Sequence, residues 1–487
     1  MRKLLSFLKK YWLLVASLVI SFLMFYPALS SFYTHDDFFF LKIAKVSSFG
    51  DFVNFFNLVK DSEGIGVYRP LPLRVYYFLA SGVFNLNPLP LRIISFVTFF
   101  IDVVLVHRLA ELLTKNRKIA LLSSFLYATS VTHFGQLYYI GAYQELLLTL
   151  FFLASVTFFI KYEIGVGYSV RNLVASFLFF ILALMSKETG VILPFILIIV
   201  HFYLRVVGAT GRIKFPIKKL IISLLPYGVV LGVYLSLHFL SFGLISGDSY
   251  IWDFAPGRAL NTSFWYFLWS LNLPEMLIDF VGPGLKLNPN LLKYWSADII
   301  PIFVLFTAQA GFIVFALFKS KILKNKSLIL FCVSWFLLTI SPVVFLPVHK
   351  FTYYLTLPLF GVIMLLSYLL NGQKPVVKIL FCTIWVVLSL TSLRLTLETN
   401  WITQGVNTSE RVNNYFKENR EALKSKDISF VDTPEDKDLP WSPTLTLKTV
   451  LSEYNFFDLF YPELRERISY GDEKAEVQIR SRQLLGY

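Results

Sequence analysis

Four short segments combine residue types able to do chemistry. The first is Tyr33-Thr34-His35-Asp36-Asp37-Phe38-Phe39-Phe40, two adjacent carboxylates between aromatic residues. As structural residues they would cap a helix, since Asp is favoured at an N-cap and in the first turn. Held at a membrane surface and partly desolvated, one of them becomes a better general base. The second segment is Tyr68-Arg69-Pro70-Leu71. Proline restricts the residue before it to extended conformations, and an arginine set beside such a turn suits bidentate capture of a phosphate; otherwise it snorkels. The third is Ser186-Lys187-Glu188, a charge pair at a membrane edge that either does chemistry or closes a helix hairpin. The fourth is His349-Lys350-Phe351-Thr352-Tyr353-Tyr354. Gln144 and Glu145 open an apolar run on the same expected side, and His349 alone reads as an interfacial histidine rather than a metal ligand.

The elements that must position these residues are membrane helices. Of 487 residues, 56% are hydrophobic and 16% charged, with mean hydropathy +0.63, against a usual charged share of about 25%. A soluble globular chain is excluded by that balance. A span needs about 20 apolar residues, and eleven are expected: approximately 11–33, 91–113, 119–136, 144–161, 172–187, 189–206, 220–242, 298–318, 326–347, 351–371 and 376–396. The segment 258–281, broken by Pro274, Glu275 and Asp279, reads as a helix lying at the interface.

The charges lie between these runs and orient them, because cytoplasmic loops collect Lys and Arg. Arg2, Lys3, Lys9 and Lys10 precede the first span; Lys115, Arg117 and Lys118 follow the second; Arg205, Arg212, Lys214, Lys218 and Lys219 follow the sixth. Lys319, Lys321, Lys324 and Lys326 follow the eighth, and Lys374 and Lys378 the tenth. The expected topology therefore has a cytoplasmic N-terminus and an extracytoplasmic C-terminus, and all four chemical segments fall outside. The net charge of +14 then faces anionic lipid on the inner side, and no nucleic-acid partner is needed to explain it.

Two large outer loops, 34–90 and 243–297, belong to a transmembrane domain over 1–396, and residues 397–487 form a small polar tail domain of α or α+β type outside, with a helix from Thr408 to Lys424. Cys332 and Cys382 each sit in an apolar run and read as buried structural thiols. There is no Walker loop, dinucleotide fingerprint or nucleophile elbow.

In order and placement the four segments resemble the GT-C superfamily of integral-membrane glycosyltransferases, and among these the polyprenyl-phosphate-sugar-dependent protein O-mannosyltransferase branch, in which related Tyr-Arg-Pro and Ser-Lys-Glu segments occur. The turn at 349–354 departs from the Arg-Tyr-Leu-Tyr-like sequence expected there, and the tail has no tetratricopeptide period. The resemblance covers residues 1–396. It implies an all-α polytopic GT-C-like bundle of about 11 helices with loop helices on its outer face. It also implies transfer of a sugar, with inversion, from a polyprenyl-phosphate donor to a hydroxyl of a protein, lipid or glycan acceptor. On that reading Asp36 is the base with Asp37 as its partner or replacement. Arg69, Lys187 and Lys350 hold the donor phosphate, Glu188 orients Lys187, and Tyr68, His349 and Tyr354 support the site. No cofactor is required, although a divalent cation at the acidic pair is an open alternative. The competing readings are a polyprenyl-lipid or polysaccharide transporter, for which Asp102 is the clear mid-span acid, and an O-antigen-type ligase with a lipid-diphosphate donor. The compact loops suggest a prokaryotic plasma membrane.

Overall fold

The computed structural model describes residues 2–58, 66–165, 169–207, 217–244, 247, 250–282, 286–319 and 325–486, and the side chains from Tyr11 onward except that of Lys437. Arg212, Lys214, Lys321 and Lys324, used above to orient the spans, lie outside the described residues.

Helices α1 (Arg2–Phe25) and α2 (Asp36–Ile43) open the chain. They are followed by α3 (Pro88–Thr114), α4 (Arg117–Ala128), α5 (Tyr143–Ile164), α6 (Val170–Ser186), α7 (Leu193–Val207) and α8 (Ile217–Ser241). Next come α9 (Pro256–Trp269), α10 (Asn290–Lys319), α11 (Lys326–Val344), α12 (Leu359–Asn371), α13 (Pro375–Thr399) and α14 (Trp401–Leu423). Among the described residues eight helical stretches are long and apolar enough to cross a membrane, and α6 and α12 are shorter apolar helices.

The local chemistry sets the boundaries. Asn87 caps α3 by accepting from the Leu89 amide at 3.0 Å, and Pro88 takes the first helical position, where its missing N–H costs nothing. Lys115 closes α3 in the left-handed region, and Asn116 then caps α4 by accepting from the Lys118 and Ile119 amides. The single span expected over 119–136 is not formed. Helix α4 stops at Ala128 because the next residues have hydroxyls that compete for backbone partners: Thr129 Oγ1 donates to the Phe125 carbonyl at 2.8 Å, and Ser130 Oγ receives the Thr132 amide. Short turns carry the chain from there to Ala142. The helix expected within 258–281 is α9, which ends at Trp269; a tight turn and the 3-10 segment Glu275–Phe280 follow.

Asn400 leaves the helical region, ends α13 and caps α14 by accepting from the Ile402 amide at 2.9 Å, so the chain passes through a corner directly into the tail. The tail helix thus begins seven residues before the expected Thr408. Three short parallel strands follow, β1 (Ile428–Val431), β2 (Ile468–Tyr470) and β3 (Val477–Arg480), in the order β2-β1-β3. The central strand buries all four residues, and the sheet packs on α14 through the rings of Phe416, Phe430 and Phe457.

The tail is fastened onto the acidic segment. The His35 amide donates to the Val450 carbonyl at 2.8 Å, Phe38 packs edge-on against Phe456 at 5.3 Å, and Lys42 pairs with Asp458 at 2.6 Å.

Candidate active site

Helix α2 begins at the acidic pair, and the two carboxylates receive different environments. Asp37 is fully buried. Its Oδ1 accepts from the Tyr77 hydroxyl at 2.6 Å and its Oδ2 from the Thr34 amide at 3.0 Å. Burial raises its pKa to about 6, against the opposing pull of the Tyr77 hydrogen bond, the Arg92 charge and the Thr34 amide. Asp37 is therefore a first-turn residue that ties α2 to Thr34 and Tyr77, and Asp36 beside it is exposed. The donor set suits a divalent cation poorly, because both oxygens of Asp37 are committed inward; among the described residues no cluster of three potential ligands exists.

The backbone before Asp36 is strained. His35 adopts φ 51°, ψ −124°, a region costly for a non-glycine residue. Gly405 of α14 lies so close that a Cβ there would stand 2.5 Å from His35 Cε1 and from Thr34 Oγ1. The His35 ring meets Trp401 edge-on at 5.0 Å, and burial lowers its pKa to about 4.

A second cluster assembles where the segments at 69, 144–145 and 187–188 meet. Arg69 is forked onto Glu188: its Nε donates to Oε2 at 2.7 Å and its Nη2 to Oε1. Its Nη1 donates to Gln144 Oε1 at 2.6 Å. Burial acts to lower the Arg69 pKa, but the Glu188 charge and hydrogen bonds outweigh it and hold the guanidinium above its ordinary range. Lys187 Nζ pairs with Glu145 Oε1 and lies over the Tyr354 ring, 4.2 Å from its centroid. This corrects the expectation that Glu188 orients Lys187: Glu188 holds Arg69, and Glu145 holds Lys187.

Arg69, Lys187, Glu188 and Tyr354 line one cavity of about 170 Å³, closed by α8, α11 and the segment around Tyr250. Two of its polar wall atoms, Tyr234 Oη and His238 Nδ1, are buried without a hydrogen-bond partner among the described residues. Tyr250 stands on the cavity wall and feels the charges of Arg69, Glu188 and Asp36; burial is the main cause of its raised pKa.

The remaining expected residues surround this centre or stand apart from it. Tyr68 lies outside the cavity lining, its hydroxyl donating to the Phe56 carbonyl at 3.1 Å and its ring 6.4 Å from Tyr234. His349 packs on Tyr250 with ring centroids 4.0 Å apart; its pKa is pushed down to about 4 by burial first and then by Lys187 and Arg69. Lys350 is not brought to the cavity. The charges it meets are those of Arg258 and Asp279. The turn carrying these residues is pinned by Glu275, which accepts from the Thr352 amide at 2.6 Å, the Thr352 hydroxyl at 2.7 Å and Asn400 Nδ2 at 3.3 Å. Asp102 is fully buried in α3 and is not among the cavity residues.

Sequence reasoning passed over Arg92, Tyr234, His238 and Tyr250. Arg92 is buried in α3 and donates to the Leu137 carbonyl at 3.0 Å and the Phe32 carbonyl at 2.9 Å, fastening the acidic segment from below. A cation within an apolar span was a signal for it; the three aromatic side chains carried none.

No family model and no curated protein matches the chain. The solved structures to which the chain is similar include two. One is the Archaeoglobus fulgidus oligosaccharyltransferase in complex with Zn and sulfate, 13% identical, with TM-score 0.44 over 84% of this chain and 55% of that one. The other is the archaeal oligosaccharyltransferase AglB from Archaeoglobus fulgidus in complex with an inhibitory peptide and a dolichol-phosphate, 13% identical, with TM-score 0.45 over 89% and 61%. The chain spans less than two thirds of the length of either structure.

Proposed function

We propose that the protein is a membrane glycosyltransferase of GT-C type, which moves a sugar from a polyprenyl-phosphate donor to an acceptor hydroxyl at the outer membrane surface. The observation that carries this reading is the cavity in which Arg69 and Lys187 converge, with the exposed Asp36 opening helix α2 outside it. The tandem of a base and a cationic pocket is what transfer from a lipid phosphate requires. The resemblance of the Tyr-Arg-Pro and Ser-Lys-Glu segments to the protein O-mannosyltransferase branch supports it.

In the proposed reaction the Asp36 carboxylate takes the proton of the acceptor hydroxyl. The hydroxyl oxygen then bonds to C1 of the sugar on the face opposite the phosphate, and the C1–O bond to phosphate breaks. Its electron pair leaves with the phosphate, whose growing charge is met by Arg69 and Lys187. One displacement inverts the anomeric centre and needs one carboxylate only. Asp37 holds the start of α2 and thereby the position of Asp36.

The test uses purified protein in lipid with radiolabelled polyprenyl-phosphate hexoses and a mixed pool of membrane acceptors. The parent is expected to transfer label, and Asp36→Asn to bind donor without transferring it. Arg69→Ala is expected to lose donor binding. Equal transfer by the parent and Asp36→Asn would remove Asp36 as the base, and a parent that binds no lipid phosphate would overturn the reading.

A further inference from the structure

A second cavity lies at the opposite end of the bundle. Helices α1, α4 and α13 leave between them a groove of about 620 Å³. Its walls are apolar, with Leu121 and Phe125 of α4 facing Ile379, Cys382 and Val386 of α13. Both charged residues on its lining are lysines at one end: Lys118 in the first turn of α4 and Lys378 in the first turn of α13. At 1.5 Å of rise per residue, Lys378 lies about 33 Å along α13 from Asn400, which bonds to Glu275 beside the candidate active site. The two cavities are therefore separate.

The dimensions identify the occupant. Along α13 the lining runs from Lys378 to Val387, or about 14 Å, which is the depth of one leaflet in a hydrocarbon core of about 30 Å. The lysines thus stand at headgroup depth and the apolar walls at acyl-chain depth. Basic pockets between membrane helices attract anionic lipid headgroups, and a zwitterionic lipid would add an ammonium next to two others. We propose that this groove binds an anionic phospholipid, with its phosphate between Lys118 and Lys378 and its acyl chains along α4 and α13. The charge pattern assigns this end to the cytoplasmic side, where anionic lipid is expected. The proposal stands independently of the transferase reading.

Full-length protein stripped of lipid in detergent is titrated with phosphatidylglycerol, phosphatidylcholine of the same acyl chains, and polyprenyl phosphate, with bound lipid counted by native mass spectrometry. The parent is expected to prefer phosphatidylglycerol about thirtyfold, from the contribution of two lysines near a headgroup. Lys118→Gln/Lys378→Gln is expected to lose that preference while melting like the parent without lipid. Should that variant fail to fold, Cys382→Trp, which keeps both lysines and sets an indole across the apolar wall of the groove, is expected to weaken binding. Equal binding of the two phospholipids by the parent, a preference unchanged in the lysine variant, or binding untouched by Cys382→Trp would each overturn the proposal. Displacement of phosphatidylglycerol by equimolar polyprenyl phosphate would do so as well.

Discussion

Replacing Asp37 with Asn should change stability in a pH-dependent way whose sign the structure fixes. The carboxyl ionises at about 6 when folded and at its ordinary 3.8 when unfolded, because burial disfavours the charge. A raised carboxylate pKa means that folding favours the protonated form. The penalty is absent below pH 3.8, grows between 3.8 and about 6, and is constant above. At about 1.4 kcal/mol per pH unit, the full penalty is about 3 kcal/mol, with most of it still absent at pH 4. Asn removes this penalty but also gives up one acceptor, since the Tyr77 hydroxyl and the Thr34 amide both donate to the carboxylate; that loss costs about 1 kcal/mol at every pH. The stability of Asp37→Asn relative to the parent should therefore rise by about 2 kcal/mol between pH 4 and pH 8. Denaturant unfolding in mild detergent at the two pH values measures it. A relative stability that is flat with pH, or that falls, would refute the assignment of Asp37 as a buried carboxyl strained by its charge.

Tyr77→Phe should push the Asp37 pKa above about 6, because the phenol hydrogen bond favours the carboxylate; unfolding at pH 8 should show a loss of about 2 kcal/mol relative to the parent and at pH 4 a smaller one. Glu145→Gln and Lys187→Met should each cost about 3–5 kcal/mol by leaving a buried charge unpaired, and the double variant less than their sum, in a double-mutant cycle read by denaturant unfolding. Gly405→Ala should move His35 and Thr34, lowering stability by about 1–3 kcal/mol and kcat by at least tenfold while donor affinity holds, as single-turnover transfer and donor titration would show.

The sequence revealed what periodicity and local chemistry encode. Long apolar runs announced the helical bundle, and of the residues that the four short segments put forward, Arg69, Lys187, Glu188 and Tyr354 line one cavity while Asp36 lies outside its lining. Pairings between segments were hidden. Glu188 adjoins Lys187 in the chain but reaches Arg69, 119 positions away, because the chain leaves α6 at Lys187 in an extended conformation, φ −164° and ψ 143°, which turns neighbouring side chains apart. Lys350 was misplaced for a similar reason: the turn pinned by Glu275 gives His349 to the Tyr250 wall and Lys350 to Asp279. The third span failed because hydropathy averages over Thr129 and Ser130, whose hydroxyls end the helix.

The two ion pairs explain how cations can wait in such a place. A buried arginine or lysine without a partner would be expensive, and here each has its own carboxylate. The pairs differ in exposure: Lys187 and Glu145 have side chains only 3% and 6% exposed, whereas Glu188 is 25% exposed against 8% for Arg69. Glu145 is thus sealed against its lysine as a fixed part of the wall. Glu188 lines the cavity beside Arg69 and is the more exposed carboxylate of the two pairs. Across the two pairs, two cations and two carboxylates balance. Tyr234 Oη and His238 Nδ1 add hydrogen-bonding capacity to the wall of the same cavity. A pocket built in this way keeps each of its buried cations compensated by a carboxylate of its own, which is what lets an arginine and a lysine stand together on one apolar wall.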